Sequence, residues 1–188
     1  VTVTAYNADG EVALPNNGTI TVPAQGTVEM PLDSLAAGTY SFSLEADNLI
    51  TAATRTVKGT DTSDVAYQSS NQALGATNVV ALPRENSAAL VFGQASGEST
   101  ITIDAVNADG KIGDPVTLNL EGAVTERLTT RQLSDQSGLS TPVGALINVN
   151  GDRVFGQVNV TGSEDHIASY TIRSTQQANT AVPVSLSE

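Results

Sequence analysis

The chain has 188 residues with 20 acidic and 8 basic side chains, a net charge of −12, an apolar share of 39%, 4% aromatics, and no Cys or Trp. Phosphate neutralisation needs clustered Lys and Arg, so nucleic acid is excluded as a partner and an anionic membrane surface is disfavoured. The missing thiols exclude thiolate metal sites, thiol catalysis and disulfides, and no apolar run reaches the ~18–20 residues of a membrane helix, so this segment is expected not to insert.

Val1-Thr2-Val3-Thr4-Ala5-Tyr6 opens the chain inside an alternating strand pattern that ends in the turn Ala8-Asp9-Gly10. Such a start reads as the trimmed end of a longer chain. Turn signals follow at Asn16-Asn17-Gly18 and Pro23-Ala24-Gln25-Gly26, and a strand is expected over Val28-Glu29-Met30-Pro31-Leu32. After Ala37-Gly38, period-two alternation places Tyr40, Phe42, Leu44 and Ala46 on one face, which is expected to point inward. Asp64-Val65-Ala66-Tyr67 and Val80-Ala81-Leu82 continue the scheme before Pro83-Arg84-Glu85-Asn86 interrupts two apolar stretches. Next comes an expected hairpin, with strands Ala88–Phe92 and Ser99–Val106 around a turn through Gly93–Glu98. Val116, Leu118 and Leu120 alternate in turn, and Arg131–Pro142, rich in Ser, Gly and Gln, reads as a mobile loop. The last alternating run, Val154-Gly156-Val158-Val160, is expected to be inward.

Period two throughout, abundant Val and Thr, and Gly-bearing turns at short spacing predict an all-β protein of antiparallel sandwiches. The chain also repeats itself. Val1–Gly10 returns as Ile101–Gly110, both ending in Asn-Ala-Asp-Gly, and Ser70-Asn71-Gln72-Ala73 with Val80 and Leu82 returns as Thr175-Gln176-Gln177-Ala178 with Val184 and Leu186. A period of about 100 residues is the size of a small domain, larger than a solenoid repeat. The reading is two tandem immunoglobulin-like β-sandwich modules, 1–85 and 86–188, each carrying a net charge of −6. Module one lacks a counterpart of Ala88–Phe92, so the apolar face of Val1, Val3 and Ala5 is expected to lie on an edge strand open to a partner.

The order of these elements, from the Val/Thr strand ending in Ala-Asp-Gly through Val22-Pro23-Ala24, Val28–Leu32, Leu35-Ala36-Ala37-Gly38-Thr39-Tyr40 and Asp64–Tyr67 to Val80-Ala81-Leu82-Pro83, resembles an uncharacterised actinobacterial family. Its members are secreted or membrane-anchored cell-envelope proteins built from tandem modules of this kind. The resemblance covers essentially the whole chain and implies an extracytoplasmic location. It carries no catalytic residues to transfer. Where members show a Leu-rich strand followed by an Asn-Pro turn, this chain has Ala89-Leu90-Val91-Phe92-Gly93.

The residues offer little for catalysis. His166, the single histidine, stands beside Glu164 and Asp165 in a turn, and no Gly-x-Ser-x-Gly elbow accompanies it: Gly93-Gln94-Ala95-Ser96-Gly97 has its serine one place late. Zinc needs three or four ligands that one His without Cys does not supply. Asn107-x-Asp109-Gly110 superficially suits a calcium loop, but Ala105 and Ala5 stand where the first carboxylate belongs, so a hairpin turn is the reading at both copies. Asp61, Asp64, Glu164 and Asp165 remain weak candidates for a loose calcium site near the module ends. Carboxylate pairs for glycoside hydrolysis want sugar-stacking aromatics, and the chain has four Tyr and three Phe. There is no phosphate-cradling or dinucleotide motif, and the sequons at Asn17 and Asn159 read as chance.

No cofactor is implied. The expected function is non-enzymatic: a module pair in the cell envelope that spaces, scaffolds or docks another envelope protein by an edge strand or a surface. The alternative is a carbohydrate-binding pair recognising a wall polymer, against which the sparse aromatics weigh.

Overall fold

The computed structural model describes residues 1–58, 64–84, 87–162 and 166–175. The chain is mostly strand, arranged in antiparallel sheets, as the alternation requires. In order the elements are β1 (Thr2–Asn7), β2 (Gly10–Val12), a short 3-10 turn at Pro15–Gly18, β3 (Ser41–Glu45), β4 (Ala53–Lys58), β5 (Asp64–Ser69) and β6 (Thr77–Ala81). Then come β7 (Ser87–Gln94), β8 (Glu98–Val106), β9 (Val116–Glu121), β10 (Val124–Thr129), one helix α1 (Thr130–Ser137), β11 (Gly144–Gly151), β12 (Phe155–Thr161), β13 (Ile167–Thr171) and β14 (Arg173–Ser174).

The main body is a sandwich. One sheet has the order β10-β7-β12-β13 and the other β14-β6-β11-β8-β9. Their inward side chains form the large core: Leu90 and Phe92 of β7, Ile101 and Ile103 of β8, Ile147 of β11 and Val158 of β12 are each 1% exposed or less. Val154 lies in this core as expected, and Val160 is half-buried against it. β7 is apolar on both faces because both are covered, Ala89 and Val91 being as buried as their neighbours.

The N-terminal region is thinner. A three-stranded sheet of order β2-β1-β3 lies over a small core of Val3, Ala5 and Leu14, with Phe42, Met30 and Leu32 half-buried against it, and β4 pairs with β5 in a separate two-stranded sheet. Two registers of this region return in the sandwich. Tyr6 faces Ser41, Ala5 faces Phe42 and Val3 faces Leu44; Val106 faces Gly144, Ala105 faces Ala145 and Ile103 faces Ile147. Likewise Lys58 faces Asp64 across β4–β5, and Thr161 faces Ile167 across β12–β13. Both Asn-Ala-Asp-Gly segments turn hairpins: the Asn7 and Asn107 side-chain oxygens each accept the N–H two residues on, at 2.8 and 3.0 Å, and Gly10 and Gly110 take positive φ.

Several expectations are corrected. Val1, Val3 and Ala5 do not lie on an edge strand: β1 is the middle strand, bonded to β2 on one side and β3 on the other, with Val3 and Ala5 buried and Val1 exchanging hydrogen bonds with Ile20. β6, assigned by sequence to the unit before residue 85, pairs instead with β11 and delivers Val80 and Leu82 to the sandwich core, so the sheet crosses the expected boundary. β7 and β8 are not a hairpin, since they lie in opposite sheets and the tight turn between them carries the chain across the sandwich.

Val28–Leu32 is not a strand: among the described residues of the N-terminal region none takes the place that β7 takes beside β10. Leu44 is 39% exposed, not inward. Arg131–Pro142 is no loose loop: Thr129 and Gln132 form a reciprocal capping box, Gly138 closes α1 in the left-handed conformation, and Leu133 is fully buried. The polar composition that suggested a loop is the wet face and caps of a short helix. Val184 and Leu186 lie outside the described residues.

Candidate functional site

Three places gather polar side chains. The first joins the two regions. Thr125 of β10 is 2% exposed, and its hydroxyl accepts the Ser41 N–H at 3.0 Å while donating to the Tyr6 carbonyl at 2.8 Å. These are the two facing residues that end the β1–β3 ladder. Gly93, directly opposite Thr125 on β7, leaves the space the Ser41 side chain fills; a Cβ there would overlap the Ser41 hydroxyl. A threonine in a strand ordinarily reads as a wet-face residue, so sequence reasoning missed this joint. The only signal was the Gly interrupting an apolar strand.

The second is the corner where β5 runs beside β13. Asp64 Oδ1 accepts the Val65 N–H and Oδ2 the Ile167 N–H, both at 2.8 Å, and His166 Nδ1 stands 3.5 Å from Oδ2. The Ile167 and then the Val65 N–H hold the Asp64 carboxyl below its ordinary value of 3.8; burial opposes them, and His166 adds to the lowering. Both oxygens are thus engaged, and Oδ2 ties the end of β13 to that of β5. Of the calcium candidates, Asp64 alone is described; Asp61, Glu164 and Asp165 lie outside the described residues. Among the described residues no three His, Cys, Asp or Glu side chains gather as a metal site. His166 is 65% exposed and stands as an ion partner of Asp64 when protonated.

The third is an open cleft of about 410 Å³ between residues 73–76 and 149–153. Gly75 of its lining is held by Asn78, fully buried on β6, whose amide nitrogen donates to the Gly75 and Ile147 carbonyls while its oxygen accepts the Gly75 N–H. Asp152 and Arg153 stand at the rim. The Asp152 carboxylate accepts the Glu98 N–H at 3.0 Å, and the Arg153 guanidinium lies 5.8 Å from the Phe155 ring centroid. None of the residues lining the cleft is aromatic, and Arg153 among them is engaged with the Phe155 ring.

No helix among the described residues is long and apolar enough to cross a membrane. Neither the curated proteins nor the solved structures contain a match to this sequence. A family of unknown function, DUF5719, matches residues 1–131, from β1 into the first turn of α1, and the chain belongs to that family.

Proposed function

We propose that this chain is a non-enzymatic pair of β units that acts outside the cytoplasm, in the cell envelope, as a spacer or scaffold that docks another envelope protein. The observation that carries the reading is the joint at Thr125. Its hydroxyl is committed to backbone groups of both regions, and a spacer needs such a fixed joint to hold its two ends at a constant separation. The polar groups at the other two places are used in the same way: Asn78, Asp64 and Asp152 hold loops and strand ends through backbone bonds. Acidity spread over both halves suits an extracytoplasmic surface.

Cell fractionation of the host, followed by a wall-glycan array and a hydrolase panel on the purified chain, tests the reading. The expected result is recovery with the envelope, no glycan retained and no turnover. Recovery in the cytoplasm, or hydrolysis lost in a carboxylate variant of unchanged melting temperature, would overturn it. Glycan binding abolished by Arg153→Ala would move the reading to the carbohydrate-binding alternative.

A further inference from the structure

Among the described residues β3 is bonded to a strand on one side only. β1 is bonded to its inner edge, and among the described residues no strand is bonded to its outer edge. Its counterpart by register, β11, has two neighbours, β8 and β6. Ala105 and Ile103 face Ala145 and Ile147, as Ala5 and Val3 face Phe42 and Leu44. On its other side Ala145 faces Val80, and Ile147 faces Asn78. The place beside Phe42 and Leu44 is therefore the place that β6 fills in the sandwich. The burial follows: Ile147 under β6 is 0% exposed, whereas Leu44 is 39% exposed.

The way β6 binds defines what fits. Leu82 N–H donates to the Val143 carbonyl and Val149 N–H to the Ala76 carbonyl, so the even-numbered residues of this stretch turn their backbone groups to β11. Odd-numbered residues turn theirs away, as the bond from Thr175 Oγ1 to the Thr77 carbonyl shows. Asn78, Val80 and Leu82 point their side chains into the core, and Val79 is 43% exposed. An occupant must therefore be apolar at alternate positions. It tolerates a proline only at an odd-numbered place such as that of Val79, whose N–H does not reach the acceptor strand.

One segment of this chain has that sequence. Counting 104 residues on from β6, Val182, Val184 and Leu186 stand at the places of Asn78, Val80 and Leu82, and Pro183 stands at that of Val79. Ala181–Ser187 carries no charge in a chain of net charge −12, so its approach to another copy meets no local like-charge repulsion. We propose that the outer edge of β3 is a strand-acceptor site, and that its occupant is Ala181–Leu186 of a second copy of this chain, with Val184 beside Phe42 and Val182 beside Leu44. Main-chain bonds hold the added strand, and alternate side chains set its register. The contact is head-to-tail, so it builds chains or closed rings of copies, the smallest ring being a reciprocal exchange between two. The proposal rests on the docking reading above and names the partner.

Sedimentation velocity and light scattering over a concentration series test it, using the chain itself, Leu44→Lys at the acceptor, and Val184→Lys with Leu186→Lys at the donor. Leu44 is 39% exposed and lies at an edge, so circular dichroism of the acceptor variant should be unchanged. The unaltered chain is expected to grow in mass from 19.3 kDa as concentration rises. Each variant alone should stay at that mass at every concentration. An equal mixture of the two variants should form a 1:1 dimer and nothing larger, because only one intact donor and one intact acceptor remain. An unaltered chain that keeps a constant mass, or a mixture that stays monomeric, would overturn the proposal. A growing mass that both variants share would place the contact elsewhere and overturn it equally. Failure here leaves the spacer or scaffold reading standing, whereas glycan binding or turnover would sink that reading without altering these masses.

Discussion

The two regions share strand registers and differ in how well they are covered, and the difference shows that pairing and burial are separate problems. β1 with β3 and β8 with β11 put equivalent residues opposite each other. In the sandwich, β6 and β7 add a strand to each sheet and the inward residues are sealed. In the N-terminal region nothing among the described residues fills those two places, so three buried residues make the core there and Leu44 faces water. Backbone hydrogen bonds along a ladder are satisfied locally, but a sheet face becomes a core only when a second layer and flanking strands exclude solvent.

The sharpest way to break the comparison is to shorten its matched pair. Ile147→Ala should destabilise the sandwich by about 2–5 kcal/mol, because a fully buried aliphatic leaves a cavity. Leu44→Ala should stay within about 0.5 kcal/mol, since an exposed side chain loses little burial. Urea midpoints at constant slope measure both, and equal costs would mean that the coverage argument is wrong.

The joint offers a smaller effect that tells whether the regions melt as one. Thr125→Val preserves shape but leaves the Ser41 N–H and Tyr6 carbonyl without the hydroxyl, which costs about 1–3 kcal/mol for a buried unpaired group. The expected outcome in calorimetry is that a single transition splits, the N-terminal region melting first while the sandwich keeps its temperature. A uniform downward shift of one unsplit peak would instead show that the thin region has no independent stability.

The smallest expected effect is at Asp64. Its folded-state value is lowered, so its contribution to stability is fully present above the ordinary value of 3.8 and is lost as pH falls through the lower folded value. Stability should therefore begin to fall below about pH 4, where the carboxylate of the unfolded chain starts to protonate while the folded one does not yet. Asp64→Asn should flatten that part of the profile and leave the neutral-pH profile parallel. An unchanged acid limb in the variant would remove Asp64 from the account of the β5–β13 corner.

Much of the fold is legible in the residues. Alternation at Ile101-Ile103-Ala105 and at Val154-Val158 names core positions correctly, because a strand with one covered face has no other way to segregate its side chains. The Asn-Ala-Asp-Gly segments announce their hairpins because a tight turn needs an Asn side chain to cap it and a glycine at positive φ. What alternation does not carry is which strand lies beside which. β1 has the same pattern whether it is an edge or a centre, β6 could close either unit, and β7 and β8 look like a hairpin although they belong to opposite sheets. The face of a strand is set by its own residues at period two, whereas its neighbours are set by distant segments competing for the same hydrogen-bonding edge. The same limit governs the joint. Thr125 and Gly93 carry no local mark of their roles, since a threonine hydroxyl becomes a connector only when the packing of the whole molecule brings the ends of β1 and β3 against it.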